Sequence, residues 1–203
     1  MTVKESFNVA GLPTTFGNPL WKDNIATGNA FLIDRLLEAG AIVFGKTNVP
    51  YMLADAQSYN DIYGTTNNSW DRTRSPGGSS GGEAATLAAG LSALGAGSDI
   101  AGSLRNPAHY CGVYGHKPTW GLISTRGHAP PGIMTPTDIS VVGPMGAPRR
   151  GPRSGVARPC RTGPASAGGL AGRFAIGAAP QARRISGRGV GIVSAMPDRR
   201  QCI

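Results

Sequence analysis

Ser75-Pro-Gly-Gly-Ser-Ser-Gly-Gly82 runs directly into Glu83-Ala-Ala-Thr-Leu-Ala-Ala89. The octapeptide taken alone reads as a flexible Gly/Ser linker. A linker joins two separate units, however, and this one ends at the mouth of an alanine-rich, strongly helix-forming segment with Glu83 well placed in its first turn. Glycines in that position expose several backbone N–H groups, which suits a developing negative charge. Gly77-x-Ser79-x-Gly81 also fits the pattern of a nucleophile elbow, but that elbow needs a strand just before the serine. Asp71-Arg-Thr-Arg-Ser-Pro76 is polar and ends in proline, so the elbow is rejected.

A second small-residue stretch follows, Gly97-Ser-Asp-Ile-Ala-Gly-Ser-Leu-Arg105. It succeeds an apolar segment and precedes Asn106-Pro107, which places Ser103 where a turn passes into a helix. Ala101 and Gly102 allow close backbone approach to a ligand. By itself this stretch reads as a tight strand-to-helix connection. Working outward, Phe31, Leu32, Leu36 and Leu37 recur at helical spacing, and Gly40 is their stop signal. Ala41-Ile-Val-Phe44 reads as a short buried strand, Asn48 as the cap of a second helix with Pro50 in its first turn, and Leu91 to Gly97 as a further strand. The order helix, strand, helix, strand predicts an α/β layered sheet.

The formal net charge of +9 invites a nucleic-acid reading, but its distribution argues against one. Residues 1–146 hold nine Lys or Arg and ten Asp or Glu, whereas residues 147–203 hold eleven Arg, no Lys and the single acid Asp198. A boundary is therefore expected near Ala147. Beyond it, 41 of 57 residues are Arg, Gly, Ala, Pro or Ser, a composition that reads as disordered. Two origins fit this tail: a genuine basic extension, or a G+C-rich gene read in a shifted frame. No run of about 18 apolar residues predicts a transmembrane helix, and the N-terminus lacks a signal-peptide pattern, so no membrane association and a cytoplasmic location are expected. Cys111, Cys160 and Cys202 suggest neither a disulfide framework nor a zinc site, and Cys111 reads as a small buried residue.

Taken together the motifs stop being generic. GGSSGGEAA, GSDIAGSLRNPA and CGVYGHKPT, spanning Ser75 to Thr119, resemble the amidase signature family, as do Thr2-Val-Lys-Glu-Ser-Phe7, Gly11-Leu-Pro-Thr-Thr15, Gly45-Lys-Thr-Asn-Val-Pro50 and Tyr63-Gly-Thr-Thr-Asn-Asn68. The resemblance runs in order from about residue 2 to Met145. It implies part of an α/β/α sandwich with a mixed twisted β-sheet, hydrolysis of carboxylic amides through a serine acyl-enzyme, a small-molecule amide substrate, and no metal or cofactor. It also implies residue roles: Ser103 as nucleophile, Ser79 as the second serine on a cis peptide bond 24 positions earlier, and Lys4 as catalytic lysine. The backbone amides of Ile100, Ala101, Gly102 and Ser103 become oxyanion donors. Asp99 and Arg105 support the nucleophile loop, and Ser80 is the nearest competitor to Ser79.

These residue types suit the chemistry. A serine hydroxyl needs a base in reach. Lysine serves only when neutral, and burial lowers its free pKa of about 10.4. Ser79 then relays protons between Ser103 and Lys4, and the reverse relay protonates the leaving nitrogen. His109, His116 and His128 have no spacing that argues for a Ser-His-Asp site, and Lys46 and Lys117 read as structural. Two departures stand out: Ala101 replaces a glycine common in the family, and family domains are roughly twice as long. The resemblance thus implies truncation at both ends, and the chain as written is expected to be inactive or nearly so. Two other functions remain open: the A subunit of a tRNA-dependent amidotransferase, and an inactive fragment whose basic tail binds nucleic acid. The resemblance also leaves open a homodimer in full-length relatives.

Overall fold

A computed structural model of the chain describes residues 1–133 and 135–147. Of the basic tail expected from residue 147, residues 148–203 lie outside them.

The centre is a five-stranded sheet in the order β2-β1-β5-β7-β6. β1 (Thr2–Lys4) pairs in parallel with β2 (Gly45–Thr47) and with β5 (Leu94–Asp99). β7 (Val141–Gly146) runs antiparallel to β5 and to the short β6 (Tyr114–Gly115). A separate two-stranded ribbon, β3 (Tyr59–Asn60) and β4 (Gly64–Thr65), is antiparallel. The sheet is therefore mixed, with helices on both faces, as the layered pattern predicts.

Alternation along the strands assigns the two faces. Val3, Ala96 and Val142 pack with Leu32, Ile33 and Leu36 of α1 (Phe31–Glu38). On the other side Met145 packs with Ala84, Leu87 and Ala88 of α2 (Gly81–Ala88), and with Leu104 together with Ala108 and Cys111 of α3 (Arg105–Cys111). Leu104 is fully buried between strand and helices. Leu104→Ala should cost about 2–5 kcal/mol in a urea unfolding experiment, because both transfer free energy and packing are lost.

Two local expectations fail. Ala41–Phe44 is not a strand; β2 begins at Gly45. Gly40 is left-handed, with φ +83°, and the Ala41 amide returns to the Leu36 carbonyl, so these residues close α1 before the chain can reach the sheet. Ile42 is correspondingly exposed. Nor does Asn48 cap a helix. Tyr51–Leu53 is a single 3₁₀ turn without a side-chain cap. The Asn48 amide instead donates to the Gly64 carbonyl at 2.9 Å and to Thr66 Oγ1 at 3.1 Å, tying the β3–β4 ribbon to β2. The strand expected at Leu91–Gly97 begins later, at Leu94, since Gly90 and Leu91 close α2 by bonding back to Leu87 and Thr86.

Candidate active site

Lys4 stands at the C-terminal end of β1 with no solvent exposure. Its Nζ donates to Ser79 Oγ at 2.6 Å and to Ser98 Oγ at 2.9 Å. Burial pushes the ammonium pKa down to about 7, an effect that the Asp99 carboxylate partly opposes. A buried lysine near neutrality can both accept and donate a proton at ordinary pH.

Ser79 lies in the glycine-rich stretch, which has no regular structure until α2 begins at Gly81; no strand precedes the serine. The Gly78–Ser79 peptide bond is cis. Ser79 and Ser80 are both buried but do different things. Ser79 faces Lys4. Ser80 is spent on the sheet, its hydroxyl donating to the Ser98 carbonyl at 3.3 Å, and its amide donating to the Ser103 carbonyl at 3.2 Å. That last bond lays the two small-residue stretches side by side.

Ser103 is half-buried in the turn between β5 and α3. The turn is organised by Asp99, whose side chain is buried. Its Oδ1 accepts from the Gly102 amide at 2.8 Å, and its Oδ2 accepts from the Leu104 amide at 3.0 Å. Arg105 closes on both oxygens, Nε to Oδ2 and Nη2 to Oδ1, each at 3.0 Å. Burial by itself raises the Asp99 pKa. The Arg105 bond and the amides of Leu104, Gly102 and Arg105 outweigh it and hold the carboxyl below its ordinary value. The Gly102 N–H, one of four donors expected to face an oxyanion, is thus already directed at Asp99; Ile100, Ala101 and Ser103 are the other three.

Two groups around the site, Ser98 and Glu5, had no role assigned from the sequence. Ser98 shares Lys4 with Ser79, although nothing in its spacing marks it beyond its place before Asp99. Glu5 accepts from the Phe16 amide at 3.0 Å and shapes the loop after β1. His128 Nε2 lies 2.9 Å from Ser6 Oγ, with its ring against Phe7, and burial together with the Lys4 charge lowers its pKa to about 3. It is a neutral packing partner near the lysine. Lys46 donates to Thr14 Oγ1 at 2.9 Å and to the Pro13 carbonyl, a structural role as expected. Cys111 is buried, its thiol donating to the Pro76 carbonyl at 3.4 Å and pushed up to about 11 by burial. Among the described residues no group of His, Cys, Asp and Glu could hold a metal ion, and no helix is long and apolar enough to cross a membrane.

The structure thus joins the buried Lys4 to Ser79 on its cis bond, and the Ser80 amide holds the Ser103 turn beside them. The sequence profile of the amidase family matches residues 1–148, and the chain belongs to that family. It is 52% identical over 122 residues to an acylamidase of Rhodococcus erythropolis, an alignment covering 60% of this chain and 26% of that one. It is 44% identical over 145 residues to the glutamyl-tRNA(Gln) amidotransferase A subunit of Methanosarcina barkeri, covering 71% and 30%. A solved structure of fatty acid amide hydrolase superposes with a TM-score of 0.68 at 36% identity, covering 71% of this chain and 26% of that one. The chain spans less than a third of the length of the curated relatives it matches.

Proposed function

We propose that the chain carries the acyl-transfer centre of an amidohydrolase, which converts a carboxylic amide to an acid plus ammonia or an amine. The observation that carries this reading is the 2.6 Å bond between a fully buried Lys4 and Ser79. Neutral Lys4 takes the Ser79 proton as Ser79 takes the Ser103 proton, and Ser103 Oγ attacks the amide carbon. With the Gly102 N–H bonded to Asp99, the backbone amides of Ile100, Ala101 and Ser103 are left to hold the oxyanion, worth about 3–4 kcal/mol for a well-placed donor. As the tetrahedral species collapses, the relay returns its proton to the leaving nitrogen. Water then attacks the Ser103 ester, giving up its proton to the same relay.

Likeness to an acylamidase and to fatty acid amide hydrolase favours small or hydrophobic amides as substrates. The likeness to a glutamyl-tRNA(Gln) amidotransferase favours a second reading, release of ammonia from a side-chain amide such as that of glutamine. Comparing an aryl acylamide with glutamine as substrate separates the two.

The centre is tested with a fluorophosphonate, which acylation-competent serines capture covalently. Capture is a single covalent event that needs no amide turnover, so even in a chain expected to turn over amides poorly, digestion and mass spectrometry should place the adduct on Ser103. Its rate should rise with pH through a midpoint at about 7, as Lys4 loses its proton. Ser103→Ala should leave no adduct. An adduct elsewhere, or none on the folded chain, overturns the assignment.

A further inference from the structure

Glu83 is fully buried and lies outside the relay just described. Its carboxylate is held between two hydroxyls: Thr2 Oγ1 donates to Oε1, and Thr47 Oγ1 donates to Oε2 at 2.9 Å. Both threonines sit on the strands that frame the lysine. Thr2 is two residues before Lys4 on β1, so the two side chains leave the same face of the sheet. Thr47 is the register partner of Lys4 on β2. The third strand makes room for the carboxylate. Gly95 of β5 pairs with Thr2, and a methyl group there would press into the Glu83 carboxylate, 2.5 Å from Cδ and 2.8 Å from Cγ.

Glu83 itself belongs to the first turn of α2, the helix that starts just after Ser79 and Ser80. One carboxylate therefore pins the helix that follows the relay serine to the strand carrying the base. Lys4 and Ser79 meet at one end of this contact, and Glu83 with its threonines closes the other. Burying a carboxylate among three strands is costly unless its oxygens are bonded. Burial raises its pKa to about 7, with the Thr2 and Thr47 hydroxyls opposing the shift.

We infer that Glu83 is a positioning residue, which sets the distance between Lys4 and Ser79 and keeps water away from the lysine by locking α2 onto β1, β2 and β5. This rests on the amidohydrolase reading for its functional meaning, but its geometry can be tested without turnover.

The experiment titrates Lys4 in the full 203-residue chain by side-chain nitrogen NMR. Only four lysines are present, and Lys4→Met identifies the signal. The wild-type midpoint is expected at about 7. Glu83→Gln should leave it within about half a unit, since an amide still bonds both hydroxyls while Thr47 turns its own proton to the Val3 carbonyl, its second acceptor at 3.3 Å. Glu83→Ala admits water and loosens β1, and should raise the midpoint by about 1–2 units toward the free-lysine value. Thr2→Val, an isosteric change that removes one donor, should raise it less and serves if Glu83→Ala does not fold. A purely structural role lowers the melting temperature of these variants and leaves the Lys4 midpoint in place. An unchanged midpoint in the folded alanine variant, or in Thr2→Val where the alanine variant fails to fold, overturns the proposal. Fluorophosphonate labelling run in parallel keeps the two readings apart. A wild-type chain that takes no label while its Lys4 midpoint follows Glu83 rejects the hydrolase and supports the pin; one that labels normally with an unmoved midpoint rejects the pin alone.

Discussion

Lys4→Met should reduce fluorophosphonate capture by Ser103 at least about 10³-fold at pH 8, within the range that a positioned general base contributes. The reason is positional as well as chemical. Among the described residues Lys4 is the only cation bonded to Ser79, at 2.6 Å. Lys46 is committed to Thr14 and the Pro13 carbonyl, and His128 to Ser6. A matching signature in stability separates loss of the base from loss of the fold. Lys4 has a native pKa near 7 against 10.5 when unfolded, so between those values the unfolded chain binds the extra proton. Wild-type stability therefore gains from this group as pH rises from about 7 to 10.5, by up to about 1.4 kcal/mol per pH unit. The methionine variant should lack that component of the slope. Lys46, lowered to about 8, contributes its own rise in part of this window, so the measurement is the difference between wild type and variant in urea unfolding at several pH values. Equal labelling in the two proteins would remove Lys4 from the mechanism.

Gly78→Ala should damage both stability and labelling. A methyl at Gly78 would press into the Gln57 carbonyl and lie 2.7 Å from both the Asp55 carbonyl and the Gln57 amide. These are backbone atoms, with no flexible side chain to swing away, so the glycine-rich stretch has to move and takes Ser79 with it. Overpacking of this kind costs about 1–3 kcal/mol and sometimes more. A shift of about 1 Å at a relay atom costs about 10²-fold in rate. Both losses are expected together, in urea unfolding and in labelling of Ser103. Gly28 is the control, with nothing within 4 Å of its added methyl and no left-handed backbone. Gly28→Ala should stay within about 0.5 kcal/mol of wild type and label at the normal rate. A Gly78→Ala protein that unfolds and labels like wild type would mean that the stretch before Ser79 is slack.

The readable parts of this protein were local. Helix α1 follows from the spacing of Phe31, Leu32, Leu36 and Leu37, and α2 from the alanine run after Glu83, because periodicity and propensity act within a few residues. Strand β5 and the turn at Ser103 were legible for the same reason, the apolar segment ending in small residues. Errors came where a segment's role is set by a distant neighbour. Ala41–Phe44 has strand-forming residues yet serves to end α1, and the Asn48 side chain is taken by a ribbon some sixteen residues on, at Gly64. No window of sequence contains those partners.

The same division runs through the site. The sequence by itself determined the chemistry available: two glycine-flanked serine stretches, a lysine near residue 4, and an aspartate and arginine around the second stretch. Only the tertiary structure decided which of these groups act on one another. The Lys4 pKa falls to about 7 because β1 is enclosed by β2, β5 and α2, and desolvation is a property of that enclosure rather than of the residue. Ser79 rather than Ser80 meets Lys4 because Ser80 is held by β5 and the Ser103 carbonyl. Ser98, the Asp99 bond to the Gly102 amide, and Glu83 between Thr2 and Thr47 join residues 3 to 94 positions apart. Residue type sets what each group can donate, accept or ionise; distance and exclusion of water, which arise only when the layers close, set what it does.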